Sequence, residues 1–123
     1  MFRSPYNTLT EKEGYLLFVR TPAPYLDLDL LDSEARELQE LLPPGRRAQL
    51  HCLRDLRQAR GRNDPRFEAR LKETRLQVFK GWKRLAVLMG SSAGVLQGSR
   101  LLRELGIAAY VTTDEQAAID YLR

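Results

Sequence analysis

The sequence predicts an α/β domain, a mixed and mostly parallel central sheet of about five strands covered by about four helices, in the order β-β-α-β-α-β-α-β-α. Three observations lead there. Short apolar runs alternate with stretches whose apolar residues recur every three or four positions. Glycine and proline fall between them as punctuation. Parallel strands alternating with helices are then joined by right-handed crossovers.

Taken in order, Tyr6 to Thr10 reads as a short strand and Tyr15 to Thr21 as a stronger one, with Glu11-Lys12-Glu13-Gly14 as the hairpin turn. Pro22 and Pro24 stop the sheet. Asp27 caps a helix whose apolar stripe is Leu28, Leu31, Ala35, Leu38 and Leu42, and Pro43-Pro44-Gly45 ends it. Ala48 to Leu56 is the third strand, with Leu50, Cys52, Leu53 and Leu56 implying burial on both faces. After a polar, arginine-rich loop over Gln58 to Asn63, Asp64-Pro65 starts a helix that runs to about Phe79, with Phe67, Leu71, Thr74 and Val78 inward. Gly81 closes it, and Leu85 to Met89 reads as a buried central strand. Gly90-Ser91-Ser92 leads into a helix from about Ala93 to Leu105. Ile107 to Val111 is the last strand, and Asp114 caps a closing helix through Leu122.

A chain of 123 residues fits one domain, 1–123, with one ordinary core. Hydrophobic residues at 43% and charged residues at 29% are near the average for globular chains, which favours neither disorder nor a membrane class. No apolar run approaches the ~18 residues that would span a bilayer. Met1-Phe2-Arg3-Ser4-Pro5 lacks a secretory layout, so a cytoplasmic protein is expected. Cys52 is the only cysteine, which excludes an internal disulfide and argues against a structural metal. No cofactor is expected. The net charge of +4 is unevenly spread: 4 basic against 8 acidic residues up to Gly45, 13 against 4 from Arg46 to Arg84, and 3 against 4 thereafter. Such a basic middle attracts an acidic surface, nucleic acid or the acidic first third of the same chain.

The element order and several local motifs resemble the STAS fold of anti-sigma-factor antagonists, in its divergent bacterial SpoIIAA-like, STAS/SEC14-like branch. The residues that carry the resemblance are the Tyr15–Thr21 strand followed by Pro24-Tyr25, then Asp55-Leu56-Arg57 and Asn63-Asp64-Pro65 with Phe67. Ala93-Gly94, Leu96-Gln97, Arg100-Leu101 and Thr112-Thr113-Asp114-Glu115 with Ala117-Ala118 complete it. The resemblance covers about Tyr6 to Leu122 and implies regulatory binding: STAS domains dock on protein partners, and some bind nucleotides or lipids. In the phosphorylation-switched members a serine lies at the helix start after the Asp-Leu strand end. Here Arg60-Gly61-Arg62-Asn63-Asp64-Pro65 holds no serine or threonine, which argues against a kinase-controlled cycle. Asp64 as a permanent charge mimic is weaker than Asp64 as a helix cap.

The sharpest catalytic signal is Gly90-Ser91-Ser92-Ala93-Gly94, which matches the nucleophile elbow of hydrolases. Its context fails, because the only histidine, His51, lies upstream of the serine and within a strand. A helix cap with close backbone packing is the simpler reading, with anion binding at Ser91 and Ser92 as the remaining option. His51 and Cys52 are adjacent in a strand and face opposite ways, so they form no catalytic couple. Asp29, Asp32, Glu34, Glu37 and Glu40 are read as one solvated face of the first helix. Trp82 is read as an edge-of-core aromatic over the helix-to-strand turn.

That leaves Arg54, Arg57, Arg60, Arg62, Arg66 and Arg70 as the best binding candidate, because guanidinium groups grip carboxylates and phosphates bidentately. Single-strand nucleic-acid binders interleave aromatics for stacking, and only Phe67 falls in this run, so nucleic acid is disfavoured. The expectation is a non-enzymatic interaction module that binds a protein partner, or a second copy of itself as a homodimer, through Arg57, Arg60, Arg62, Asn63, Asp64 and Arg66. The alternative is a sensor or carrier of a small lipid, nucleotide or other phosphorylated ligand.

Overall fold

The hairpin forms where the apolar runs place it. In the computed structural model, strands β2 (Asn7–Lys12) and β3 (Tyr15–Arg20) pair antiparallel from Asn7↔Arg20 to Lys12↔Tyr15. Gly14 takes the positive φ of 89° that this tight return requires. The structure describes residues 1–24, 27–59 and 65–123, with only the backbone described over 65–68. A two-residue strand β1 (Phe2–Arg3) adds to the outside of the hairpin through Phe2↔Leu9. The sequence reading has no such strand, since a single apolar residue carries no period.

From β3 the chain runs through α1 (Leu28–Leu41), a one-turn α2 (Pro44–Arg47), β4 (His51–Asp55), α3 (Pro65–Phe79), β5 (Arg84–Leu88), α4 (Ser92–Glu104), β6 (Tyr110–Thr112) and α5 (Glu115–Leu122). Among the described residues the sheet is therefore six-stranded in the simple order β1-β2-β3-β4-β5-β6, with β3 to β6 all parallel. This is the expected mixed, mostly parallel sheet, with one strand and one helix more than the pattern suggested. The extra helix is α2: Pro43-Pro44-Gly45 ends α1 as expected, and Pro44 then sits where a first turn tolerates its missing N–H. That turn takes up Pro44 to Arg47, so β4 starts at His51 rather than Ala48. β6 likewise begins only at Tyr110, after Gly106 leaves α4 with φ of 72°.

Three helix starts are set by local chemistry. Asp27 accepts the N–H groups of Asp29 and Leu30 at 2.9 and 3.2 Å, Ser91 that of Gly94 at 3.0 Å, and Asp114 that of Ala117 at 3.1 Å. Because β3 to β6 follow one another in sequence, right-handed crossovers carry α1, α3 and α4 to the same face. On that face Leu38, Leu42, Phe79 and Leu102 meet Leu9, Phe18, Cys52, Leu85 and Val87 of the sheet. On the other face, among the described residues, α5 lies alone, with Ala118 and Leu122 against Leu53, Ala86 and Leu88. Among the described residues no helix is long and apolar enough to cross a membrane.

Candidate functional site

Side chains in a strand alternate between faces, so Leu9 and Phe18 carry Asn7 and Arg20 with them under the helix layer, as Cys52 carries Arg54. Asn7, Arg20 and Arg54 expose only 4, 1 and 5% of their surfaces, and Glu34 of α1, on the facing helix layer, exposes 6%. These four polar groups border a cavity of about 380 Å³ between the sheet and α1, α3 and α4. Leu31, Leu38, Leu71, Val87 and Leu102 give the cavity apolar walls. Its size falls in the range of small-molecule sites, which are mostly apolar with a few placed polar groups.

The polar groups are held in place. Glu34 accepts hydrogen bonds from Ser4 Oγ at 2.7 Å and from Asn7 Nδ2. Ser4 Oγ in turn accepts the N–H groups of Tyr6 and Asn7 at 3.1 and 3.0 Å. Arg20 donates to the carbonyls of Tyr6 at 3.2 Å, of Ala23 at 2.7 Å and of Thr21, and its guanidinium lies 5.5 Å from the centre of the Tyr6 ring. Arg54 lies 4.1 Å over the Phe18 ring and donates to the Phe18 carbonyl at 3.3 Å.

Two expectations are corrected here. Glu34 is not part of a solvated acidic face: it sits three residues after Leu31 and four before Leu38, on the buried stripe, where Ser4 and Asn7 satisfy its carboxylate. Arg54 does not belong to an exposed arginine surface, because its strand position turns it under the helix layer. The spacing of both residues carried that information in the sequence, as did the alternation of Asn7 with Leu9 and of Arg20 with Phe18.

Among the described residues, the remaining arginine candidates pair locally. Arg57 is 44% exposed and folds back on Asp55, its Nη2 2.8 Å from Oδ2, with Glu115 of α5 3.6 Å from Nη1. Burial alone would raise the Asp55 carboxyl; the hydrogen bonds from the Arg57 side chain and backbone N–H outweigh it and hold the carboxyl below its usual value. The same bonds raise Arg57 further. Arg70 pairs with Asp32 of α1. Arg60, Arg62, Asn63 and Asp64 lie outside the described residues, and Arg66 is described by its backbone alone.

Ser91 spends its hydroxyl oxygen on its own helix as the cap, and Ser92 is the exposed first residue of α4. Close packing accompanies the cap: a Cβ on Gly94 would lie 3.2 Å from Met89 Cε. His51 Nδ1 meets the carbonyl of Leu122 at the end of α5. Cys52 is buried on the opposite face, where loss of solvent pushes its thiol up to about 12. Trp82 covers the turn after α3, donating from Nε1 to the Val78 carbonyl at 2.7 Å, with Arg47 5.2 Å from its ring centre. Among the described residues no cluster of His, Cys, Asp or Glu is arranged to hold a metal.

Against known proteins, no family model matches the chain and no curated protein matches it. A solved structure does: an uncharacterized DUF3478-family protein with a SpoIIAA-like fold from Shewanella loihica PV-4, with a TM-score of 0.71 over 95% of this chain and 92% of that one. The chain has the SpoIIAA-like fold. At 15% sequence identity the likeness speaks to architecture, and it bears out the fold that the residue motifs suggested.

Proposed function

We propose that this SpoIIAA-like chain is a binding module rather than an enzyme, and that it holds a small, largely aliphatic molecule between its sheet and its helix layer. The observation that carries this reading is the cavity of about 380 Å³ with its apolar walls and buried polar groups. A concavity of this size, opening to solvent beside Ala59 and Gln97, is of the kind that small ligands fill. Burying Asn7, Arg20, Glu34 and Arg54 around it costs free energy that an apolar core would have avoided.

A regulatory output fits the same geometry. Leu56 and Ala59 line the cavity at the exit of β4, and Arg57 between them ties that exit to Glu115 of α5. Filling the cavity therefore bears on Leu56 to Ala59, which lead into the stretch that the sequence offers to a protein partner. On this reading the ligand sets the state of the module and the basic segment reports it.

Native mass spectrometry of the freshly purified protein tests the binding half directly. A retained small mass, or stabilisation of the emptied protein by a medium-chain aliphatic compound, is the expected result. An unliganded mass together with no thermal shift from any member of an aliphatic series removes the reading.

A further inference from the structure

The lining of the cavity is unevenly charged. Among the described residues that border it, Arg20, Arg54 and Arg75 carry guanidinium groups and only Glu34 a carboxylate. Glu34 is 6% exposed and already accepts from Ser4 Oγ and Asn7 Nδ2. Arg20 and Arg54 lie deep, with the carbonyls of Tyr6, Ala23 and Phe18 among their acceptors. A carbonyl is neutral, so these bonds satisfy donors without cancelling charge. Two buried cations against one buried anion leave the interior positive, and at low dielectric that excess is felt across the space. The accessible polar groups lie further out. Gln97 of α4 is exposed, Thr74 and Arg75 of α3 are half-buried, and with exposed Ala59 they mark the mouth. The buried lining is apolar at Leu31, Leu38, Leu71, Val87 and Leu102. An apolar interior behind a cationic, wet mouth suits an amphiphile that enters tail first: the tail leaves water, and the head stays where donors and solvent reach it.

Resting on the ligand-binding reading above, we infer that the cavity selects a medium-chain carboxylate, its tail inside and its head at the mouth, with the Arg75 guanidinium and the Gln97 amide as donors. A guanidinium matches a carboxylate bidentately, and its five N–H groups are not exhausted by one contact. Arg20 and Arg54 add attraction from behind without touching the head. A neutral hydroxyl gains nothing from the excess charge, and a cationic head is repelled by it. Length follows from volume: at roughly 30 Å³ per heavy atom, the share of a water in the liquid, 380 Å³ takes about a dozen atoms. Decanoate is of that size.

The test is calorimetric titration of the wild-type protein at neutral pH with sodium decanoate, decanol and decylammonium chloride, repeated on Arg75→Gln. Decanoate, ionised at that pH, is expected to bind about tenfold more tightly than decanol, the worth of one charge-assisted hydrogen bond, and decylammonium most weakly. In Arg75→Gln decanoate loses most of that advantage, while decanol binds as before. Equal binding of decanoate and decanol by wild type overturns the carboxylate preference and leaves the cavity reading standing. Tightest binding of decylammonium places the head on Glu34 and overturns it as well. A decanoate advantage unchanged in Arg75→Gln overturns the placing of the head at the mouth. No binding by any of the three overturns this inference and the ligand-binding reading together.

Discussion

The two faces of the sheet are built to different standards. Under α5, the residues Leu53, Ala86, Leu88, Ala118 and Leu122 are all apolar and all at 0 or 1% exposure. Under α1, α3 and α4, a pocket of about 380 Å³ lies beside the apolar cluster, and Asn7, Arg20, Glu34 and Arg54 are buried around it. One chain makes both faces from the same strands, alternating residue by residue. The α5 face holds the smaller and drier apolar cluster, whereas the helix-layer face combines the larger apolar cluster with buried polar groups and the pocket on which the proposed function rests.

Substitutions at matched depth sharpen that contrast. The largest effect is expected at Leu88, fully buried against α5. Leu88→Ala should lower the unfolding free energy by about 3 kcal/mol in a urea titration. Overfilling the same face comes next, and Ala86→Leu should cost about 2 kcal/mol because nothing there can give way. A much smaller loss for either would show that the α5 face is also loosely packed.

Asp55 at the exit of β4 gives a smaller effect with a characteristic pH dependence. Its carboxyl is held below the usual value by Arg57, so the stability it adds is present above the unfolded-chain value of about 4 and disappears as the pH falls through the lower folded value. Asp55→Asn should cost about 1 kcal/mol at neutral pH and flatten the acid limb of a melting-temperature profile. An acid limb identical to wild type would mean that other carboxylates govern it.

The smallest effect has the opposite sign. Gly98 of α4 borders the cavity, and a Cβ there would find only ordinary contacts, at 3.7 Å from Val111 and 3.8 Å from Met89. Gly98→Ala should therefore stabilise the protein by about 0.5 kcal/mol through helix propensity, read as a small rise in melting temperature. Loss of stability would place the cavity wall elsewhere.

Local chemistry was legible in the sequence and long-range chemistry was not. Asp27, Ser91 and Asp114 announce helix starts because a cap acts within three residues. The element order and the mostly parallel sheet followed from alternation and punctuation, and β1 escaped because two residues carry no period. The cavity polar cluster needs β2, β3, β4 and α1 to converge, and no single segment reveals that. Its members were nonetheless marked by position: Glu34 on the Leu31–Leu38 stripe, Arg54 two residues from Cys52. Composition argued the other way, since charged residues are so seldom buried that a run of acids or arginines reads as surface. The basic stretch likewise looks continuous in sequence, whereas Arg54 turns inward, Arg57 folds onto Asp55 and Arg70 pairs with Asp32.

The central claim is that the space between sheet and helices exists to be occupied. Ala35 of α1 is half-buried and lines that space, so Ala35→Leu places a larger side chain at its wall. The most direct measurement is the affinity of wild type and Ala35→Leu for a medium-chain aliphatic compound, taken with their melting temperatures. The account predicts that the variant melts at or above the wild-type temperature and loses at least tenfold in affinity, about 1.4 kcal/mol. A variant that is destabilised like Ala86→Leu, or that binds as wild type does, contradicts it.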